Sequence, residues 1–491
     1  MKQQQIILPN KAQQLGEKTQ TYFIDNKQVA SSEILKEIAK QTSSQYLALI
    51  TKLPKVEISE DALQRFAQVA NDTKAGMLYA DYYKVSAEKR ELIPTIEYQE
   101  GSLRDDFDFG NVLFFDANLF KQIVENQQNN YKFAALYDLR LKIPKIFHIN
   151  EPLYDVLSCH CGLDPQSLEK QPIAASAAMT NNQQFAYVDV KNISVQQEME
   201  KAVTKHLKNI GALLTPETLC HCVFDTQSPD DFEFEASIII PVKNREKTIF
   251  DAIKSAYSQK TNFKFNIIVV DNHSTDKTTE IIKAGHFDQR EKSPANNNRF
   301  LPSVEMTAPI VHITPTRRDL NIGGCWNEAV NHPKCGKFAV QLDSDDVYIN
   351  ENVLQKIVDE FYSQCCAMLI GSYTLVNFDY EKIPPGDITH AEWTEQNGMN
   401  NALRINGLGA PRCFYTPIIR KIGFPNVSYG EDYAVGLRIC RDYKIGRIYD
   451  SLYLCRRWDS NSDANIDIKK LNEFNLYKDK IRTIELLARK K

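Results

Sequence analysis

The sequence predicts an α/β protein whose C-terminal half is a doubly wound, Rossmann-like sheet. Three observations predict it. First, SIIIPV (237–242) and NIIVV (266–270) are continuously apolar, as strands covered on both faces of a parallel sheet are. Second, each is followed by a helix-periodic segment, TIFDAIKSAYSQ and KTTEIIKAG, the latter stopped by glycine. Third, polar residues cluster at the strand ends, in PVKNRE, DNHSTD and QLDSDD. Open α/β sheets bind ligands at such ends.

The 491 residues exceed one ordinary domain. Residues 1–157 form a first domain, with helical and apolar segments such as SSEILKEIAKQ, SQYLALITKL and DALQRFAQVA. Residues 158–233 read as an irregular linker, 234–465 as the α/β domain and 466–491 as a C-terminal helix. Within the third stretch, 286–309 reads as an exposed insertion. A hydrophobic fraction of 43% and a charged fraction of 25% are those of a globular protein. The net charge of -4 gives no basic excess for nucleic acid. No apolar run is long enough for a membrane span, and MKQQQIILPNKAQQ does not read as a secretory signal. The 11 cysteines are then expected to be reduced thiols, which places the protein in the cytoplasm.

LDSDD (342–346) packs three carboxylates into four residues after an apolar strand. Unpaired, they repel one another, and a divalent cation removes that cost. Hard oxygen ligands with room for phosphates suit Mg²⁺ or Mn²⁺. An acidic turn before the helix NENVLQKIV is the plainer alternative.

The order SIIIPVKNRE, VVDNHSTD, NIGGCWNEA, QLDSDD, YGEDYAVGLRI resembles the inverting glycosyltransferase family 2 pattern on the GT-A fold, over about 236–460. The resemblance implies a nucleotide-diphosphate sugar donor, UDP-linked, and an acceptor hydroxyl on a glycan or lipid-linked molecule. It implies that Pro241, Val242, Asn244, Asp271 and Asn272 hold the nucleotide, with Asn321 and Gly323 at the asparagine-glycine turn. It maps a DxD metal motif onto Asp343 and Asp345, and the acid pair onto Glu431 and Asp432, with Asp432 the base. Arg456 or Arg457 is expected at the diphosphate, of which Arg457 is taken as the binding residue. Three departures stand out. Asn272 replaces a frequent aspartate, Trp326 a common arginine and Trp458 a frequent metal-binding histidine. The rival readings are a non-catalytic carbohydrate- or partner-binding protein and a sugar nucleotidyltransferase. The retained acids disfavour the first, and the glycine-free PVKNRE the second.

Residues 20–157 parallel 320–458 in order and length. SQYLALITKLPKVEI matches GKFAVQLDSDDVYI, and FGNVLFFDANLFKQI matches LGAPRCFYTPIIRKI. Thr51, Lys52 and Leu53 replace the DxD residues, and Phe133 and Ala134 replace Glu431 and Asp432. No counterpart of SIIIPVKNRE or VVDNHSTD is visible upstream. The first domain thus reads as a degenerate, inactive GT-A-like copy without the nucleotide-binding half. It would support the enzyme by extending the acceptor groove or mediating a homodimer.

Two weaker patterns remain. Cys159-His160-Cys161 and Cys220-His221-Cys222 would offer four thiolates to a structural Zn²⁺, although free thiols in a duplicated linker are the plainer reading. The tail DIKKLNEFNLYKDKIRTIELLARKK reads as an amphipathic helix with a basic face, packed on a domain or resting peripherally on an anionic membrane.

Overall fold

The computed structural model describes residues 13–14, 18–24, 31–51, 55–157, 192–224, 232–287, 308–457 and 466–490. The chain divides into two compact units. The first comprises Met1–Leu213, Leu403–Asn406 and Ile466–Lys491, the second Leu214–Ala402 and Gly407–Asn465.

The first unit opens with β1 (Gln13–Gln14), β2 (Thr19–Ile24), α1 (Ser32–Gln41), β3 (Tyr46–Thr51) and β4 (Lys55–Ile58). It continues with α2 (Glu60–Thr73), β5 (Met77–Val85), β6 (Arg90–Ile93) and β7 (Val112–Asp116). Then follow α3 (Ala117–Glu125), α4 (Ala135–Arg140), β8 (Ile146–Leu157) and α5 (Ile193–Asn209). The sheet order is β1-β2-β3-β7-β5-β8-β4, with β6 on β5. Helix α2 shows how locally the elements are specified. The Ser59 hydroxyl caps it by accepting from the Ala62 N–H at 3.1 Å, and Glu60 and Asp61 face its positive end. Its apolar stripe buries Leu63, Phe66 and Ala70, and Phe66 stacks on Phe114 of β7 at 5.2 Å.

The second unit contains β9 (Ala236–Val242), α6 (Ile249–Tyr257), β10 (Phe265–Asp271), α7 (Thr278–Phe287), β11 (Ile310–Ile313) and α8 (Ile322–Val330). Next come β12 (Phe338–Gln341), β13 (Val347–Tyr348), α9 (Val353–Gln364), β14 (Met368–Val376) and β15 (Lys382–Ile388). Then come α10 (Gly398–Asn401), β16 (Arg412–Tyr415), α11 (Thr416–Ile422), α12 (Glu431–Asp442) and β17 (Ile445–Arg456). The sheet order is β11-β10-β9-β12-β16-β14-β17-β13, with β15 on β14. Strands β11, β10, β9 and β12 are mutually parallel, and β16 runs against its neighbours. The chain order reverses between β9 and β12, the switch point at which such sheets open a ligand crevice. The doubly wound α/β class is as the sequence predicted.

The internal repeat is visible strand by strand. β2, β3, β7, β5, β8 and β4 take the places of β9, β12, β16, β14, β17 and β13, with every pairing in the same sense. Tyr46 faces Asp116 as Phe338 faces Tyr415, which sets Thr51 in the place of Asp343. Gly110 and Gly409, equivalent in this register, both have positive φ, +70° and +97°. One expectation needs correcting. The first domain does have a counterpart of SIIIPV, because β2 pairs parallel with β3 as β9 does with β12. TQTYFI carries no strand signal of its own because it is short and half polar. Beyond it, the described residues show only the two-residue antiparallel β1 where β10 stands. Lys52, Leu53, Trp458 and Cys159-His160-Cys161 lie outside the described residues.

At the α4 N-terminus, where Phe133 and Ala134 replace the acid pair, a carboxylate comes from elsewhere. Glu198 of α5 accepts from the backbone N–H groups of Lys132, Phe133 and Ala134 at 3.1, 2.7 and 3.1 Å. The stretch expected to be irregular therefore contains a 17-residue helix, α5, with Val195, Met199, Ala202, Val203 and Leu207 buried.

The C-terminal helix α13 (Ile468–Arg489) belongs to the first unit, and it buries charged side chains that the sequence had placed on an exposed basic face. Lys478, Asp479, Arg482, Glu485 and Arg489 are buried, whereas Ile484 and Leu487 are exposed. The charges are paired internally: Arg482 meets Asp479 at 2.7 Å, Arg489 meets Glu485 at 2.8 Å and Arg104 meets Asp479 at 3.4 Å. Gly101 permits this approach, since a Cβ there would stand 2.1 Å from the Thr483 nitrogen. The basic residues Lys478, Arg482 and Arg489 are thus not presented as a surface stripe. No helix among the described residues is long and apolar enough to cross a membrane.

The first unit also buries a His148–Asp81 pair at 2.9 Å, with Asp81 accepting from the Thr95 N–H at 2.7 Å. Burial opposes charge on both groups, but their mutual pairing raises the His148 pKa and, with Thr95, lowers that of Asp81. The His148 contribution to stability is full below about pH 6.5 and is lost as pH rises through its raised folded value. That of Asp81 is present above about pH 3.9 and lost as pH falls through its lowered folded value. Wild type should therefore lose thermal stability between pH 6 and 8 more steeply than His148→Gln. Asp81→Ala should cost about 3–5 kcal/mol. Calorimetric unfolding of the full chain across pH checks both; equal pH slopes for the two proteins would contradict the first.

Candidate active site

Three strand ends of the second unit meet at the switch point. Val242 closes β9 opposite Asp271 of β10, and Pro241 pairs with Val270. The loops that follow are clasped together. Asn244, at φ +54°, donates its N–H to Ser274 Oγ at 3.0 Å, and its side-chain oxygen accepts from the Thr275 N–H at 2.8 Å. Glu246 N–H donates to Asp276 and Lys277 N–H to Glu246, both at 3.1 Å. Asn244 and His273 both hold left-handed backbone, a strained state that such a clasp stabilises.

Asp271 is almost fully buried. Burial pushes its carboxyl up, but His312, 3.7 Å away, and hydrogen bonds from Ser274 and Thr279 override this and hold it well below the usual range. Asn272 donates its amide to the Leu320 carbonyl at 2.8 Å, and its buried Oδ1 meets no donor among the described residues. The pair is thus one fixed anion beside one neutral acceptor.

Asn321 and Gly323 have a structural use that the sequence did not reveal. Asn321 N–H donates to Asn426 Oδ1 at 2.7 Å, and Ser428 donates to Asn321 Oδ1 at 2.8 Å. A Cβ at Gly323 would fall 1.9 Å from the Pro425 carbonyl oxygen and 3.2 Å from Glu431 Cβ. The start of α8 therefore holds the loop that delivers α12. Gly323→Ala should displace that loop, costing about 1–3 kcal/mol of stability and lowering turnover; thermal unfolding and donor-hydrolysis rates measure both. Trp326 is buried and stacks on Phe424 at 5.2 Å, so it is a core residue.

The acidic turn after β12 divides its carboxylates. Asp346 is buried, accepts from the Arg456 N–H at 2.8 Å, and has its pKa raised by burial and by Asp345 and Asp343. Asp343 and Asp345 are partly exposed. Asp343 accepts from the Gln341 amide at 2.8 Å, and its N–H donates to the Tyr453 hydroxyl at 2.9 Å. Asp345 stands 3.8 Å from the Arg245 guanidinium.

Glu431 and Asp432 open α12. Asp432 pairs with Arg412 of β16 at 2.8 Å. Burial alone would lower the Arg412 pKa; Asp432, Asp343 and Glu431 push it up instead, so Arg412 links the two acidic motifs. Glu431 is only 8% exposed, and burial followed by Asp432 raises its pKa to about 8. The two carboxyls titrate as a coupled pair, in which burial and Asp432 favour a proton on Glu431.

The sequence did not single out Arg412, Arg245, His312, Tyr453 or Asp251. A charged residue inside the buried strand RCFY was the available signal for Arg412. The expected diphosphate contact by Arg456 needs correcting. Arg456 is buried, donates to Asp251 at 2.7 Å and to the Asp345 carbonyl, and so braces the acidic turn. Arg457 donates its N–H to the Val376 carbonyl at 2.8 Å. Of the Cys-His-Cys pair, Cys222 is buried with its N–H on the Cys365 carbonyl at 2.9 Å.

Residues 237–422 match the family model described as "Glycosyl transferase family 2". No curated protein sequence matches the chain. Among solved structures, the chain is similar to Staphylococcus aureus TarS 1–349 in complex with UDP-GlcNAc. That match has 18% identity and a TM-score of 0.37, and covers 52% of this chain and 72% of that one. It is also similar to the mannosyltransferase PcManGT from Pyrobaculum calidifontis in complex with GDP-Man and Mn²⁺. There the identity is 13%, the TM-score 0.35 and the coverage 62% and 85%. A third is glucosyl-3-phosphoglycerate synthase from Mycobacterium tuberculosis with Mn²⁺, UDP and phosphoglyceric acid, at 14% identity and TM-score 0.33, covering 52% and 79%. The family match spans the strand ends of the second unit and takes in Asp271, Asp343 and Asp345.

Proposed function

We propose that the second unit is a metal-dependent, inverting hexosyltransferase. It would move a sugar from a nucleotide-diphosphate donor, UDP-linked, to a hydroxyl of a glycan or lipid-linked acceptor in surface polysaccharide synthesis. The reaction would take place in the cytoplasm or at the inner face of its membrane. The observation that carries this reading is the convergence of Asp343 with Glu431 and Asp432 on Arg412 at the switch point.

Pro241, Val242, Asn244, Asp271 and Asn272 form the floor on which the nucleoside would lie. Among the described residues no three His, Cys, Asp or Glu side chains gather to hold a metal. Mg²⁺ and Mn²⁺ fit such a donor set, since they take one or two carboxylates and complete their shell with substrate phosphates and water. Held by Asp345 and Asp343, the ion would supply charge neutralisation for the departing diphosphate. Arg245 and Arg457 are the cationic side chains assigned to the diphosphate itself.

The chain's own chemistry is a proton transfer. Asp432, kept ionised by Arg412, accepts the acceptor hydroxyl proton as that oxygen attacks the anomeric carbon. Glu431 remains protonated and leaves Asp432 as the only anion of the pair. Attack opposite the leaving diphosphate inverts the anomeric centre. With water as acceptor, the first sugar released should carry the anomeric configuration opposite to the donor's when followed by proton NMR. Retention would reject single displacement.

A further inference from the structure

The turn joining β14 to β15 carries two partly exposed aromatic side chains, Phe378 and Tyr380. Phe378 is 38% exposed and Tyr380 49% exposed. The turn is locked from within. Asn377 Oδ1 accepts from the N–H groups of Asp379 and Glu381 at 3.0 and 2.9 Å, and its amide donates to the Glu381 carboxylate at 2.8 Å. Lys382–Asp387 at 2.6 Å closes the hairpin below. Tyr380 itself sits in left-handed backbone, φ +63°, unusual for a bulky residue and maintained only by such constraints.

The turn adjoins the acidic motif. The Arg456 guanidinium lies 5.0 Å from the centre of the Phe378 ring, and the same side chain donates to the Asp345 carbonyl. The degenerate copy supplies an independent comparison. There β5 and β6 are joined by the turn 86–89, Ser-Ala-Glu-Lys, with no aromatic residue. Leu157 pairs with Val85 where Arg456 pairs with Val376. The unit that lacks the acids lacks this arginine and these rings as well.

We propose that Phe378 and Tyr380 form an acceptor subsite that stacks a pyranose ring. The C–H bonds on one face of a pyranose are positively polarised and are attracted to the negative face of an aromatic ring. A preorganised turn holds the rings without further entropic loss on binding. This rests on the glycosyltransferase reading for its role but not for its detection.

The test is saturation-transfer NMR and titration of the full chain with methyl glucoside, methyl galactoside, methyl mannoside and methyl N-acetylglucosaminide. Calorimetry with UDP and Mn²⁺ runs alongside. Wild type should bind at least one glycoside at millimolar concentration. Tyr380→Ala and Phe378→Leu, the latter keeping an apolar cover on Arg456, should each weaken it about 3- to 10-fold with UDP affinity unchanged. No glycoside binding, or equal binding by the variants, overturns the subsite. Parallel loss of glycoside and UDP also overturns it, because the rings then only brace Arg456. Glycoside binding that depends on Tyr380 in a protein that binds no nucleotide would sink the transferase reading and leave the subsite standing.

Discussion

Asp432→Asn should lower the transfer rate about 10²-fold or more, the scale of a lost general base, while UDP affinity changes little. The expectation follows from its pairing with Arg412 at 2.8 Å, which places a cation against this carboxylate. Glu431→Gln should behave differently. Burial and Asp432 raise the Glu431 pKa to about 8, so the wild-type side chain is protonated at neutral pH and glutamine mimics that form. Near pH 7 this variant should stay active. Above about pH 8, wild type gains a second negative charge beside Asp432, and its rate should depart from that of Glu431→Gln. The measurement is kcat against pH for the three proteins. An inactive Glu431→Gln beside an active Asp432→Asn would move the base to Glu431.

Asp345→Ala should abolish turnover, a loss of about 10³-fold or more when charge stabilisation worth several kcal/mol disappears. It should also weaken nucleotide binding only when Mn²⁺ is present. That conditional loss separates a ligand from a structural residue. Asp346 is the contrast: buried against the Arg456 N–H, it belongs to the scaffold, and its removal should reduce stability as well as activity. Calorimetry with UDP, with and without Mn²⁺, reads the difference. Equal UDP affinity in wild type and Asp345→Ala with Mn²⁺ would refute the assignment.

The central strands β9 and β10 were legible because burial on both faces leaves an unbroken apolar run. The acidic turn was legible because three clustered carboxylates are costly without a purpose. The repeat was legible because residue order and spacing survived after the site residues changed. Other features depend on partners distant in sequence. β2 is identified by pairing with β3, not by its half-polar TQTYFI. In α13, Asp479, Glu485, Arg482 and Arg489 neutralise one another inside the first unit, so a helix read by its charges points its apolar Ile484 and Leu487 outward instead. Arg412 meets Asp432 only when β16 is set beside β12, and no spacing in the sequence announces that. Deleting residues 1–157 is a poor test of the second unit, because α13 and 403–406, which belong to the first unit, would lose the surfaces that bury them.

Metal-dependent chemistry on a nucleotide-diphosphate sugar is tested most directly by incubating the full chain with a panel of UDP-, GDP- and dTDP-sugars and measuring nucleoside diphosphate release with Mn²⁺ or with excess EDTA. Release from at least one UDP-sugar is expected in Mn²⁺, with loss of that release in EDTA and its return when Mn²⁺ is restored. Undiminished release in EDTA, or none from any donor by folded protein, would contradict it.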